Sequence, residues 1–265
     1  MLEAGTLCDE GVIPTGNFGS SSKDQLKNLE IFMNKKKIKA PLMCMEFWIG
    51  WFSSWGKELK VRDYKNAANE LKEILDLGSV NIYMYHGGTN WGFYNGANYY
   101  DEVEPQITSY DYDALLTEWG EKTEKYNAFR EVISEYKNIE DNTNSTNIKF
   151  INYGKIKLSN KVSLFNTIDR IAKPVYNDLP LNMEKLNQGY GYILYRTNIE
   201  KDMTSANTAR IVDCNDRAIV YCNEEHIITQ SREKIGKIFD LKFDTAKDNR
   251  LDILVENEGR INYGY

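Results

Sequence analysis

Two segments of this chain are apolar at nearly every position. They are PLMCM at 41–45, which ends on Glu46, and VNIYMY at 80–85. A strand covered on both faces has a continuous apolar run, whereas a strand with one solvated face alternates. The pattern therefore predicts two buried strands of a parallel sheet.

Around these strands the apolar residues recur at every third or fourth position, which is the spacing of an amphipathic helix. Helices are predicted at 23–36, 63–77 and 121–136. The first follows a turn-rich stretch at 14–22 and has a serine as its predicted N-cap, and Asp63 is the predicted cap of the second. Helix and strand alternate, which predicts an α/β fold with parallel strands.

The pattern changes after the polar stretch at 141–147, whose composition is typical of a linker. Beyond it, short segments alternate apolar and polar residues at 190–197, 218–221 and 251–255. Short alternating strands indicate an antiparallel β-sandwich. We therefore predict an α/β portion over 1–140 and a β-sandwich over 147–265.

The charge of the chain argues against nucleic acid as a partner. The 265 residues carry a formal net charge of −6, and the basic run at 35–37 is a solvated helix end rather than a basic stripe. No run of about 18 apolar residues occurs, so no membrane span is predicted. The first residues lack the basic and apolar regions of a signal peptide. The sequence predicts no particular oligomeric state.

The cysteines indicate neither a metal site nor a redox motif. The four are Cys8, Cys44, Cys214 and Cys222, without a CxxC pair, and the chain has only two histidines to add. Cys214 and Cys222 can pair across a hairpin, but free thiols in a reducing cytoplasm are the favoured interpretation. We expect a cytoplasmic protein with no metal and no organic cofactor. The sequon at 144–146 matters only in a secreted protein.

The candidate chemistry lies where the first apolar strand ends. Glu46 closes that strand, and Trp48, Trp51 and Trp55 follow at once. The carboxyl end of a parallel strand is where barrel enzymes keep their catalytic residues. Aromatic rings beside an isolated carboxylate suit a sugar, whose apolar face packs on the rings. The alternative is a core strand that ends in a solvated glutamate beside a packing cluster.

Several long motifs, in the same order along nearly the whole chain, resemble those of glycoside hydrolase family 35 β-galactosidases. They are PTGNFGS, PLMCMEFWIGWFSSWG, VNIYMYHGGTNWGFYNGAN, SYDYDALLTEWGE with TEKY, MEKLNQGYGYILYRT and LDILVENEGRINYG. The resemblance implies a (β/α)8 TIM barrel followed by a jelly-roll-like β-sandwich. The strands at 41–46 and 80–85 would be barrel strands seven and eight.

The resemblance also implies a function in carbohydrate metabolism and a set of site residues. Family members release terminal β-D-galactose from β-galactosides with retention. Glu46 matches the catalytic nucleophile. Tyr83 and Tyr110 match tyrosines that line the galactose pocket, and Trp48 and Trp51 match the aromatics beside the nucleophile.

One departure from the family pattern is large. The family's acid/base glutamate follows an asparagine near the end of barrel strand four, and this chain is expected to begin after strand six and to end within the sandwich. The Asn–Glu dipeptides at 69–70, 223–224 and 257–258 are assigned to a helix, a turn and a strand. We therefore expect an unpaired strand edge beside Glu46 and no activity from the chain alone. The alternative is a non-catalytic carbohydrate-binding or structural relic.

Overall fold

The computed structural model describes residues 11–140, 148–203 and 207–264. The predicted linker with its sequon, and Cys8, lie outside the described residues. Two compact units are present, and described residues 11–91, 106–140 and 148 belong to the first. The second contains residues 92–105 as well as the described residues from 149 onward. The boundaries 1–140 for the α/β portion and 147–265 for the β-sandwich remain a prediction.

The first unit is a three-stranded parallel sheet with helices between its strands. Its elements are β1 (Gly16–Phe18), α1 (Ser22–Lys36), β2 (Met43–Trp48), α2 (Tyr64–Leu75), β3 (Ser79–Tyr83) and, after residues 92–105, α3 (Glu124–Ser134). The strand order is β1-β2-β3, and both pairings are parallel. The predicted alternation of helix and parallel strand is confirmed for this unit.

The prediction of an unpaired edge beside Glu46 is wrong. The stretch at 14–22, predicted as a turn, contains β1, whose Asn17 lies opposite Glu46 and whose Phe18 lies opposite Phe47. Phe18 is buried in the core of the unit. Its burial, rather than the local glycine and proline signals, determines the backbone conformation here.

The core of the unit lies between the sheet and the helices. Phe47 on β2 and Phe129 on α3 are almost fully buried, with ring centroids 6.1 Å apart. The other fully buried side chains on the helices include Leu26, Leu29, Leu71 and Ile74. Strand β2 is not buried at every position as predicted, because Met45 is 42% exposed while Cys44 is fully buried.

The helix starts are fixed in two different ways. Asp63 caps α2 as predicted, since its side chain accepts a hydrogen bond from the Asn66 amide at 2.7 Å. The predicted serine cap of α1 is wrong, because Ser21 makes no side-chain cap. The Glu70 carboxylate on α2 instead accepts hydrogen bonds from the backbone amides of Ser21 and Ser22, at 3.1 and 2.8 Å. The positive end of the helix dipole also stabilises a carboxylate at this position.

The second unit is rich in β-structure. Its elements are β4 (Gly96–Tyr99), β5 (Val103–Pro105), α4 (Leu164–Ile171), β6 (Gly191–Ile199), β7 (Thr208–Arg210), β8 (Arg217–Cys222), β9 (Glu225–Ser231), β10 (Ile238–Asp240), β11 (Asn249–Asn257) and β12 (Arg260–Gly264). The sheets are β6-β11-β8-β9, β10-β7 and β12-β4-β5. The first two are antiparallel, as the alternating segments predicted.

A buried charge cluster lies in the four-stranded sheet. Asp252 on β11 is fully buried and accepts hydrogen bonds from Arg196 at 2.6 Å and from Arg250 at 2.8 Å. On the opposite side of the sheet, Val220 packs with Phe239. Within the described residues, no helix combines the length and apolar character needed to cross a bilayer.

Replacing the carboxylate that caps α1 should destabilise the first unit. We expect Glu70→Ala to lower the free energy of unfolding by about 1–2 kcal/mol, because the exposed amide of Ser21 and the half-buried amide of Ser22 both lose their acceptor. Urea unfolding followed by circular dichroism measures the change. Glu30→Ala, at an exposed position of α1, is the matched control and should stay within about 0.5 kcal/mol of the parent. Equal losses in both variants would contradict the cap.

Burial of Cys44 should make its thiol unreactive at neutral pH. Burial raises the pKa of Cys44 to about 12, so the folded unit keeps the protonated thiol and loses stability as the pH rises from about 8.5 towards that value. At pH 8 we expect iodoacetamide to label Cys44 at least about 10³-fold more slowly than in the urea-unfolded chain. Peptide mass spectrometry gives the rate for each cysteine, and equal rates in the folded and unfolded chain would refute the expectation.

Candidate active site

Glu46 lies near the C-terminal end of β2 and is half-buried. Its Oε2 accepts a hydrogen bond from the indole Nε1 of Trp48 at 3.0 Å. The two residues are two positions apart on a strand, so their side chains leave the same face of the sheet. The carboxylate is thus held by a neighbour on its own strand.

Aromatic rings continue from Trp48 along the following loop. Trp48 contacts Trp51 edge to face, with centroids 5.7 Å apart. Trp51 stacks on Phe52 at 5.1 Å and meets Tyr112 at 6.1 Å. Edge and offset arrangements of this kind are the favoured geometries of aromatic pairs. The rings therefore form one connected cluster that begins at the indole bound to Glu46.

Three tyrosines complete the cluster. The hydroxyls of Tyr83 and Tyr110 lie 3.5 Å apart, and the Tyr112 ring lies 5.4 Å from Tyr83 and 5.6 Å from Tyr110. Burial raises the pKa of Tyr110 and of Tyr112, and the negative charge of Glu46 adds to both shifts. These phenols therefore stay protonated at neutral pH and remain able to donate hydrogen bonds.

A close backbone approach sets the position of Tyr112. Tyr112 and Asp113 have positive φ angles of 63° and 53°, and the carbonyl oxygen of Tyr112 lies against Gly50. A Cβ on Gly50 would come within 1.8 Å of that oxygen. Only glycine permits this approach between the loop after β2 and the turn that carries Tyr112.

The four residues predicted to surround Glu46 thus lie in one cluster with it. They are Trp48, Trp51, Tyr83 and Tyr110. Tyr112, for which the sequence predicted a structural role only, is a ring that contacts Trp51, Tyr83 and Tyr110 directly. Its signal was the alternation in Ser-Tyr-Asp-Tyr-Asp at 109–113. Trp55 is 71% exposed.

The three Asn–Glu dipeptides have partners elsewhere. Glu70 caps α1, as described. Glu224 pairs with Arg250 at 2.9 Å, and Glu258 lies 3.4 Å from Arg217, both in the second unit. Of the described cysteines, Cys44, Cys214 and Cys222 are free. Among the described residues, no group of three His, Cys, Asp or Glu side chains is arranged to hold a metal ion.

Family comparison identifies both parts of the chain. The model of glycosyl hydrolases family 35 matches residues 1–136. The model described as the first all-beta domain of beta-galactosidase matches residues 180–265. Glu46, the tryptophans and the tyrosines of the cluster all lie in the first match.

Individual relatives agree with the family models. The beta-galactosidase of Mus musculus is 35% identical over 276 residues, covering 100% of this chain and 40% of the relative. The beta-galactosidase of Xanthomonas manihotis is 35% identical over 269 residues, covering 100% of this chain and 43% of the relative. The chain therefore spans about two fifths of the length of these relatives.

Similarity to solved structures is slight. The beta-D-glucuronidase of Dictyoglomus thermophilum gives a TM-score of 0.24 at 17% identity, over 31% of this chain and 15% of that one. The family model, by contrast, matches 136 of the 265 residues, from 1 to 136, and includes the whole aromatic cluster. The chain is β-galactosidase-like and belongs to glycosyl hydrolases family 35.

Proposed function

We propose that this chain provides the nucleophile of a retaining β-galactosidase, and that the nucleophile is Glu46. The observation that carries the proposal is the Glu46 carboxylate at the end of a parallel strand, hydrogen-bonded by Trp48 and continuous with a cluster of rings. A Glu46 oxygen would bond to the anomeric carbon as the glycosidic C–O bond breaks. Water would then release galactose and restore the carboxylate.

The neighbours of Glu46 have distinct roles in this proposal. The Trp48 indole donates a hydrogen bond to Glu46 Oε2, and Glu46 Oε1 is the oxygen that attacks the anomeric carbon. The indole rings of Trp48 and Trp51 pack against the apolar face of the sugar. The hydroxyls of Tyr83 and Tyr110 donate hydrogen bonds to sugar oxygens or to the charge that develops on the ester oxygen.

The reaction needs a second carboxylate, about 5–5.5 Å from the nucleophile, to act as acid and then base. The three Asn–Glu dipeptides are engaged elsewhere, in a helix cap and in two ion pairs. We assign the acid/base to a carboxylate outside this chain, supplied by the remainder of a TIM barrel. The chain order of β1, β2 and β3 in their sheet supports this, since consecutive barrel strands are neighbours. With β2 and β3 as strands seven and eight, β1 would be strand six. This proposal replaces the expectation that the chain begins after that strand.

The remaining proposals concern the partners and the location. A terminal β-galactoside is the proposed substrate, with no metal or organic cofactor and with neither nucleic acid nor membrane as a partner. The free thiols of Cys44, Cys214 and Cys222 favour a cytoplasmic location. The non-catalytic relic is the second candidate function, because the proposed acid/base lies outside the chain.

Complementation tests the function. We expect residues 1–265 alone not to hydrolyse p-nitrophenyl β-galactoside, since a missing acid/base costs about 10²–10⁴ in rate and lost positioning costs roughly 7–11 kcal/mol of the barrier. Adding the part of the Xanthomonas manihotis enzyme that precedes the matched segment should produce turnover. In that mixture Glu46→Gln should abolish turnover and the matched variant Glu58→Gln, at an exposed position, should not.

Three outcomes would contradict the proposal. Turnover by the monodisperse chain alone would place the acid/base within it. Turnover unaffected by Glu46→Gln would remove the nucleophile assignment. Binding of galactose without turnover in any mixture would favour the non-catalytic relic.

Removing single hydroxyl groups tests whether Tyr83 and Tyr110 donate hydrogen bonds in the site. In the complemented enzyme we expect Tyr83→Phe and Tyr110→Phe each to lower kcat/KM about 10-fold, since each removes one hydrogen-bond donor from the site. Tyr195→Phe is the control, because the Tyr195 hydroxyl donates to the Leu181 carbonyl in the second unit. Steady-state kinetics at equal folded fraction gives the comparison, and equal losses in all three variants would remove the tyrosines from the site.

A further inference from the structure

A lysine is buried next to the proposed site, where a cation is unfavourable. Lys125 lies in the first turn of α3 and is 3% exposed. Lysine is almost never fully buried without a partner, and the N-terminal turn of a helix repels positive charge. Burial lowers the pKa of Lys125, and Asp113 opposes that shift. The surrounding contacts must therefore offset a substantial cost.

The ammonium group has three short contacts. Nζ donates to the carbonyl oxygen of Ile49 at 2.8 Å, to the carbonyl oxygen of Asp113 at 2.6 Å and to Asp113 Oδ2 at 2.5 Å. An ammonium has three hydrogens to donate. Two of the three acceptors are backbone carbonyls, so the group binds the main chain at two places as well as a counter-charge.

The two backbone segments are those that carry the rings around Glu46. Ile49 follows the last residue of β2 and lies between Trp48 and Trp51 in the chain. Asp113 follows Tyr112 in the left-handed turn. Lys125 therefore joins the loop of the two indoles to the turn of the central tyrosine, next to the close contact at Gly50.

A second cation holds the same two segments. The guanidinium of Arg62 donates to the Trp48 carbonyl at 2.6 Å, and the Arg62 amide donates to Asp113 Oδ2 at 2.7 Å. The consecutive carbonyls of Trp48 and Ile49 are thus each bound by a cation. Asp113 accepts from both cationic residues.

We infer that Lys125 is a positioning residue: it fixes the loop after β2 against the turn at 112–113 and thereby sets the place of Trp48, Trp51 and Tyr112 beside Glu46. The kinetic part of this inference rests on the proposed function. The positional part does not, because it concerns where the indoles lie. A lysine that only stabilised α3 would leave the indole environments unchanged in the folded protein.

The positional part is tested by fluorine NMR on the full chain labelled with 5-fluorotryptophan. The chain has five tryptophans, and each resonance is assigned with a Trp→Phe variant. In Lys125→Met we expect the resonances of Trp48 and Trp51 to shift or broaden beyond their line width. Those of Trp55 and Trp91, which are 71% and 77% exposed, should not change.

Two further variants complete the test. Lys125→Met/Asp113→Asn removes the ammonium together with its counter-charge, so it avoids leaving the half-buried Asp113 carboxylate without its cation. It should move the same two resonances. Lys72→Met is the matched control, since Lys72 is an exposed lysine that bonds Glu135, and it should move neither. Unmoved Trp48 and Trp51 signals in both Lys125 variants overturn the inference. The inference is also overturned if neither Lys125 variant folds while Lys72→Met does, because Lys125 would then contribute only to stability.

The kinetic part uses the complemented enzyme. Misplacement of reacting groups by about 1 Å costs about 10²-fold in rate, so Lys125→Met should lower kcat by that factor while KM stays within about twofold of the parent. A raised KM at unchanged kcat contradicts the positioning role. If the parent mixture shows no turnover, the proposed function fails, while the NMR result still decides the position of the indoles.

Discussion

The proposed site depends on one buried ammonium group and the oxygens that surround it. Backbone carbonyls at the end of a parallel strand have no partner in the sheet, and water cannot reach those that helices cover. Lys125 supplies a donor to one of these carbonyls and to the turn opposite it. Because a buried charge tolerates few arrangements of its partners, the contact favours a single geometry of the two segments.

The same use of charge recurs in both units. In the first, the Glu70 carboxylate replaces a local cap and binds the start of α1 to α2. In the second, the fully buried Asp252 lies between Arg196 and Arg250. In each case a carboxylate accepts a hydrogen bond from a segment that is more than 40 residues away in the chain. These contacts bring together segments that are distant in the chain.

The sequence predicted those features that depend on near neighbours. The alternation of helix and strand, the Asp63 cap and the strand that carries Glu46 follow from periodicity and local side-chain chemistry. The predicted end of that strand at Glu46 is wrong, because β2 continues to Trp48. The features that it did not predict depend on distant partners. Strand β1 forms because Phe18 is buried against a core supplied by later residues, and Lys125 has the local pattern of a solvated helix start. Tyr112 belongs to the cluster through a turn whose conformation only Gly50 permits.

The strands in residues 92–105 make the second unit discontinuous in sequence. β4 lies in an excursion between β3 and α3, and it pairs in parallel with β12, more than 150 residues later. The second unit thus cannot be excised as one continuous segment, since a cut before residue 149 would leave β12 without β4. The sheet β12-β4-β5 is complete only when the whole chain between β4 and β12 has been synthesised. Contacts between residues so distant in the chain are typical of slowly folding proteins, and we expect the pairing of β4 with β12 to form late.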